Sequence, residues 1–214
     1  MLHKNRFLVT EGGFFVSCLV IFPYSFYLCI IVKLNLMKKL LLAAAVLASL
    51  TACGQKKEMK TLVAYFSATG TTEAVAKDLA EATGGTLYQI KPEVKYTDAD
   101  LDWRNKESRS SVEMADKTSR PAIIKDLKDP DSYDLIFIGF PVWWYTAPTI
   151  INTFIETYGF DGKTVVFFST SGGSDVKGAD KQFAEQYPDI IWKTGKLLNG
   201  ATKEEMKAWV EGLH

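Results

Sequence analysis

Three short stretches hold the residues best suited to gripping a ligand: Ser67 to Thr72, Pro141 to Tyr145 and Thr170 to Gly173. The first, Ser67-Ala68-Thr69-Gly70-Thr71-Thr72, sets four hydroxyls and a glycine directly before a helical pattern. The first N–H groups of a helix have no intrahelical partner and lie at its positive dipole end, so this turn is a natural anion site. Hydroxyls add hydrogen bonds there without adding charge, and Gly70 permits a tight turn and a close approach of the backbone to the ligand. The alternative is that Thr72 is an ordinary N-cap. The turn has no lysine and no second glycine pair, which excludes the P-loop and the dinucleotide fingerprint. In the second stretch, Pro141-Val142-Trp143-Trp144-Tyr145, the three large aromatics fit no strand or helix stripe; they either pack as a lid or stack on a planar ligand. In the third, Thr170-Ser171-Gly172-Gly173, the paired glycines either reverse the chain or bring backbone groups within reach of a ring edge.

Residues for acid, base or metal chemistry are sparse. His3 and His214 stand at the extremes of the sequence, and Glu73, Glu156 and Asp175 read as solvated or helix-end charges. All three cysteines (Cys18, Cys29, Cys53) lie at or before residue 53, so the remainder has neither disulfide nor thiolate chemistry. The 25 basic and 25 acidic residues balance overall, but the part after residue 52 carries 20 basic and 24 acidic residues, about −4. No basic patch points to nucleic acid.

The elements that must position these stretches alternate between strand and helix. Leu62 to Phe66 is a short apolar run that reads as a strand covered on both faces, and Ala74, Val75, Leu79 and Ala80 recur at helical spacing after it. Gly84 and Gly85 stop that helix, and Thr86 to Ile90 reads as a second strand. The polar span from Glu93 to Arg120 reads as a solvated connection, with one or two short helices as the alternative and Leu101, Trp103, Val112 and Met114 as anchors; spacing does not say whether Arg104, Arg109 or Arg120 meets a ligand. Pro121 to Leu127 looks like an entry into the sheet. Leu135 to Phe140 is the most apolar run and belongs at the sheet centre, with a helix through Ile151, Phe154 and Ile155 after Pro148. Thr164 to Thr170 is another buried strand, Val176 and Phe183 suggest a helix, and Ile190-Ile191-Trp192 is a short final strand. Thr202 and Glu205 form a capping-box pattern for the last helix.

Serine, threonine, glycine and threonine at these spacings after a first strand resemble the phosphate loop of flavodoxins. Pro141-Val142-Trp143-Trp144 and the Thr170–Gly173 loop resemble, in the family's order, the two loops that flank its isoalloxazine ring. The resemblance covers about residues 60 to 213. It implies an α/β, flavodoxin-like, doubly wound five-stranded parallel sheet of order 2-1-3-4-5 with helices on both faces, and FMN at the crevice between strands 1 and 3. It further implies phosphate contacts from Ser67, Ala68, Thr69, Gly70, Thr71 and Thr72. Ring contacts are implied from Pro141, Val142, Trp143, Trp144 and Tyr145 on one side and Thr170, Ser171, Gly172 and Gly173 on the other. Many flavodoxins carry an acidic or tyrosine-bearing second loop, and this chain does not, which leaves its redox potentials open.

Upstream, residues 37 to 52 have the charged, apolar and small-residue parts of a secretory signal. The ending Leu50-Thr51-Ala52-Cys53 resembles a bacterial lipobox, which implies lipidation of Cys53 and a polar tether over 53 to 59. Gly54 is not the aspartate associated with inner-membrane retention, so the expected location is the cell envelope, on the outer membrane facing the periplasm. A second apolar run, Phe14 to Val32, precedes this signal; residues 1 to 36 read as an upstream extension of the reading frame, with a membrane helix as the competing account. Three functions follow: an FMN electron carrier serving a redox protein or small acceptor at a membrane, an FMN-dependent NAD(P)H quinone or nitro reductase, or a binding module that keeps the fold without flavin.

Overall fold

The computed structural model describes residues 59–213, together with the exposed helical positions Lys33, Met37 and Lys38. The chain divides into two compact units, Met1–Lys57 and Glu58–His214. The signal, the lipidated tether and Cys53 all lie outside the described residues.

In the second unit, five strands form one parallel sheet of order β2-β1-β3-β4-β5: β1 (Thr61–Tyr65), β2 (Thr86–Gln89), β3 (Leu135–Pro141), β4 (Thr164–Thr170) and β5 (Ile191–Leu197). This is the expected fold. Alternating side chains build a core on each face. Leu62, Ala64, Ile136, Ile138, Phe140, Val165 and Phe167 pack with helices α3 (Ile150–Tyr158) and α4 (Lys177–Gln186). Val63, Tyr65, Leu135, Phe137, Val166 and Phe168 pack with α1 (Thr71–Thr83) and α5 (Lys203–Glu211). Burial on both faces explains why β1, β3 and β4 are continuous apolar runs, each large side chain contributing roughly 1.5–3 kcal/mol. Gly139 is required by packing: a Cβ there would stand 2.1 Å from the Phe168 ring.

Three expectations need correction. The last strand runs on from Trp192 to Leu197, because a register shift opposite Val166–Phe168 accommodates one extra residue in β5 and lets the polar Lys193–Lys196 segment pair with β4. Pro121 to Leu127 does not join the sheet; it makes one antiparallel bridge, Pro92 to Ile123. In the 93–120 span the short-helix alternative holds rather than the solvated connection. It contains helix α2 (Arg109–Ala115), capped by Ser108, whose Oγ accepts from the Ser111 N–H, and it buries Ser108 and Ser110. Trp103 and Val112, named as anchors, are 68% and 54% exposed; Tyr96 packs against the core instead. The capping box at Thr202 and Glu205 is present with both of its hydrogen bonds.

Candidate functional site

The three stretches leave the sheet at the carboxyl ends of β1, β3 and β4, which pair side by side. After β1 the chain turns through Gly70, left-handed at φ 88°, and Ser67 Oγ accepts from the Gly70 N–H at 3.0 Å. Gly70, rather than Thr72, is the N-cap of α1, and no side chain caps this helix. Its first-turn N–H groups therefore lack a side-chain acceptor, and the hydroxyls of Thr69 and Thr71 next to them lie 3.4 Å apart. Thr72 is buried, and its hydroxyl lies 2.8 Å from that of Thr170, joining this turn to the end of β4. Glu73 brings an acidic group to the first turn, paired with Lys77 at 2.5 Å.

Beyond β3, Trp143 and Thr146 exchange backbone hydrogen bonds of 3.0 and 2.9 Å, closing a two-residue turn over Trp144 and Tyr145. Both central residues are left-handed, at φ 44° and 65°. Two positive φ values mark a type I′ geometry that favours asparagine and glycine, so bulky aromatics here are strained by roughly 1–2 kcal/mol each. At the tip of this turn Tyr145 is 76% exposed and Trp144 45%. Trp143 points back to the core, edge-on to Phe66 at 5.7 Å and to Tyr96 at 5.6 Å. Val142 donates its N–H to the Thr170 carbonyl at 2.9 Å, binding this loop to the third stretch.

The third stretch is braced internally. Ser171 Oγ accepts from the N–H groups of Gly173 (3.1 Å) and Ser174 (2.8 Å), and Asn199 accepts from the Ser171 N–H at 2.9 Å while its amide donates to the Ser171 carbonyl. Among the described residues this leaves the Gly172 N–H without a partner.

Two clefts flank these loops. One, of about 380 Å³, is lined by Val142, Trp143, Trp144, Tyr145 and Ser174 together with Leu101, Trp103 and Ser110. No side chain in this lining is charged. The other, of about 490 Å³, adjoins Ser67, Ala68 and Gly70 and carries Lys91, Lys95, Glu73 and Glu93. Hydroxyls and free N–H groups on one side and an uncharged aromatic cleft on the other fit a ligand with an anionic end and a flat body. The 97–110 wall and Tyr96 were missed as site residues. Trp103, a lone tryptophan in a run of charges, was the available signal. Arg109, an open candidate, is held by Glu113. Burial, then the hydrogen bond to Glu113, pushes the Tyr96 phenol well above its usual range, so it stays a neutral donor. Among the described residues no group of His, Cys, Asp or Glu is placed to hold a metal ion, and no helix is long and apolar enough to cross a membrane.

Comparison with known proteins agrees with this geometry. A search of curated proteins gives no match. Among solved structures, a protein assigned as a flavoprotein from Bacteroides uniformis ATCC 8492 is 57% identical, covering 72% of this chain and 99% of its own, with a TM-score of 0.69. A counterpart from Bacteroides eggerthii DSM 20697 is 52% identical, covering 72% of this chain and 97% of its own, with a TM-score of 0.71. A flavoprotein from Lactobacillus acidophilus NCFM, solved in complex with FMN, shares the fold at 24% identity and a TM-score of 0.57, covering 72% of this chain and 98% of its own. The family profile described as flavodoxin matches residues 60–213, the span that holds the five strands and the loops after β1, β3 and β4, and the chain therefore belongs to the flavodoxin family.

Proposed function

We propose that the chain binds FMN and passes electrons to or from redox partners at a membrane surface, held there by a lipid anchor on Cys53. The observation that carries the reading is the pairing of an uncapped, hydroxyl-rich helix start with an uncharged aromatic cleft. The family and the FMN complex of the Lactobacillus relative support it.

The N–H groups at the start of α1 and the hydroxyls of Ser67, Thr69 and Thr71 would hold the phosphate; the Thr72–Thr170 pair keeps that turn beside β4. Trp143, Trp144 and Tyr145, which line the aromatic cleft, would cover the ring, and Gly172 would offer an N–H to it. FMN supplies the electron chemistry when bound, while these residues orient it, exclude water and set its potential. The uncharged lining also supports a second reading, an FMN-dependent NAD(P)H reductase of quinones or nitro compounds, because a neutral flat acceptor matches such a wall.

The test adds FMN to the purified protein and follows visible absorption and flavin fluorescence. Quenched fluorescence at micromolar FMN or below is expected, and no uptake would overturn the reading. Steady nicotinamide oxidation by the protein alone, with a quinone present, selects the reductase over the carrier. In the native bacterium, labelled fatty acid should enter the wild-type chain and not the C53A variant. Equal labelling of the two rejects the anchor and, with it, placement on the periplasmic face of the outer membrane.

A further inference from the structure

The 93–120 segment holds a charge cluster that the cofactor reading does not use. Glu113 accepts two hydrogen bonds of 2.6 Å, one from the Tyr96 hydroxyl and one from Arg109 Nε. The Arg109 guanidinium lies 3.9 Å from the centre of the Tyr96 ring, and its other arm donates to the Val94 carbonyl at 2.8 Å. The pair is 24% and 12% exposed, well out of water for an ion pair. Tyr96 is thus gripped at its hydroxyl and on one face, which leaves its edges for other rings.

Those edges complete a triangle. Tyr96 meets Phe66 at 5.5 Å and 63°, Trp143 meets Tyr96 at 5.6 Å and 77°, and Phe66 meets Trp143 at 5.7 Å and 88°. Phe66 follows directly on β1 and is fully buried, so it cannot yield. Trp143 follows β3 and lines the aromatic cleft. Of its two ring neighbours, Phe66 is fixed by the sheet and Tyr96 is fixed by the Arg109–Glu113 pair. Edge-to-face packing of this kind is directional, so movement of Tyr96 leaves Trp143 free to rotate into or out of the cleft.

We propose that Tyr96, Arg109 and Glu113 act as a clamp that positions the ring of Trp143, and that this clamp sets how tightly and in what stacking geometry the cleft holds its flat cofactor. The second half rests on the FMN reading above. Tyr96 lines the cleft beside Ser67 and Gly70, while Arg109 and Glu113 line neither cleft; the role assigned to all three is to position Trp143, which the Trp143 resonance reads apart from any direct contact of Tyr96.

The test uses the full chain and two variants that leave net charge unchanged: Y96F, which removes the phenolic tether, and the double variant R109Q/E113Q, which removes the ion pair. V112A, at an exposed position on the same helix, is the control. In FMN-free protein, the indole N–H resonance of Trp143, assigned by its loss in W143F, should shift in both test variants and stay fixed in V112A. After FMN addition, affinity should fall about tenfold, the size of one well-made aromatic contact, and residual flavin fluorescence should rise. An unchanged resonance together with wild-type affinity in folded Y96F overturns the clamp, even if the double variant fails to fold. Wild-type protein that takes up no FMN overturns the cofactor half, and the resonance then decides the clamp alone. Wild-type protein that binds FMN while both test variants match it overturns the clamp and leaves the FMN reading standing.

Discussion

The Thr72–Thr170 pair shows what one contact does at this site. Both side chains are buried and their hydroxyls lie 2.8 Å apart across 98 residues of sequence. A hydroxyl next to a helix start is ordinarily assigned to the ligand. Burial and the contact with Thr170 give this one a part in the scaffold as well. Removing one partner strands the other in an apolar setting, so T170V should lose about 1–3 kcal/mol of stability. The double variant T72V/T170V strands nothing and should lose less than the two single variants together. Urea unfolding of the four proteins measures the coupling. Simple additivity would show that the two hydroxyls do not act as a pair.

At the scale of elements, the aromatic turn depends on a helix that approaches it very closely. A Cβ on Gly178, in the first turn of α4, would stand 2.2 Å from the Tyr145 carbonyl oxygen. Glycine to alanine inside a helix ordinarily gains up to about 1 kcal/mol. Here it forces the 143–146 turn to move, so G178A should lose about 1–3 kcal/mol and also weaken FMN binding. Stabilisation of G178A, read from its melting temperature, would mean the contact is loose. The strands were legible because β1, β3 and β4 are apolar enough to declare burial on both faces. The three loops were legible because hydroxyls, aromatics and glycines stood where strands ended. The far half of β5 was not: Lys193 to Lys196 carries no strand signal, and a bulge and pairing to β4 hold it in place. Nor was the role of 93–120, because Tyr96 joins the site through rings at Phe66 and Trp143 that no local period encodes.

For the whole domain, two carboxylates on the same core face link stability to pH with opposite signs. Glu156 accepts both 2.8 Å bonds of a bidentate Arg120 and a 2.7 Å bond from Tyr187, tying the end of the 93–120 segment to α3 and the end of α4. The Arg120 bonds hold its carboxyl below the usual range, against the effect of burial. A lowered folded value means that its contribution is present above the unfolded value, near 4.3, and is lost as pH falls through the folded one. Asp180 is the reverse. One oxygen accepts from the Gly195 N–H at 2.9 Å at the β5 bulge, while the other is buried and, among the described residues, has no hydrogen-bond partner. Burial raises its carboxyl, opposed by the Gly195 bond and aided by Asp175. A raised folded value means that stability is fully present below the unfolded value, near 3.9, and is lost as pH rises through the folded one. D180N keeps an acceptor for Gly195 and removes the charge, so it should raise the urea midpoint at pH 7 and lose that advantage near pH 3. E156Q should lower the urea midpoint at pH 7, a stability loss of up to about 1 kcal/mol since the pair is half-exposed and solvent screens it, and the loss should shrink on acidification. Shifts of the same sign at pH 7, or shifts independent of pH, would refute the assignment of these two groups. Opposite shifts that converge in acid would show that Asp180 destabilises the neutral protein while it holds the β5 bulge against α4.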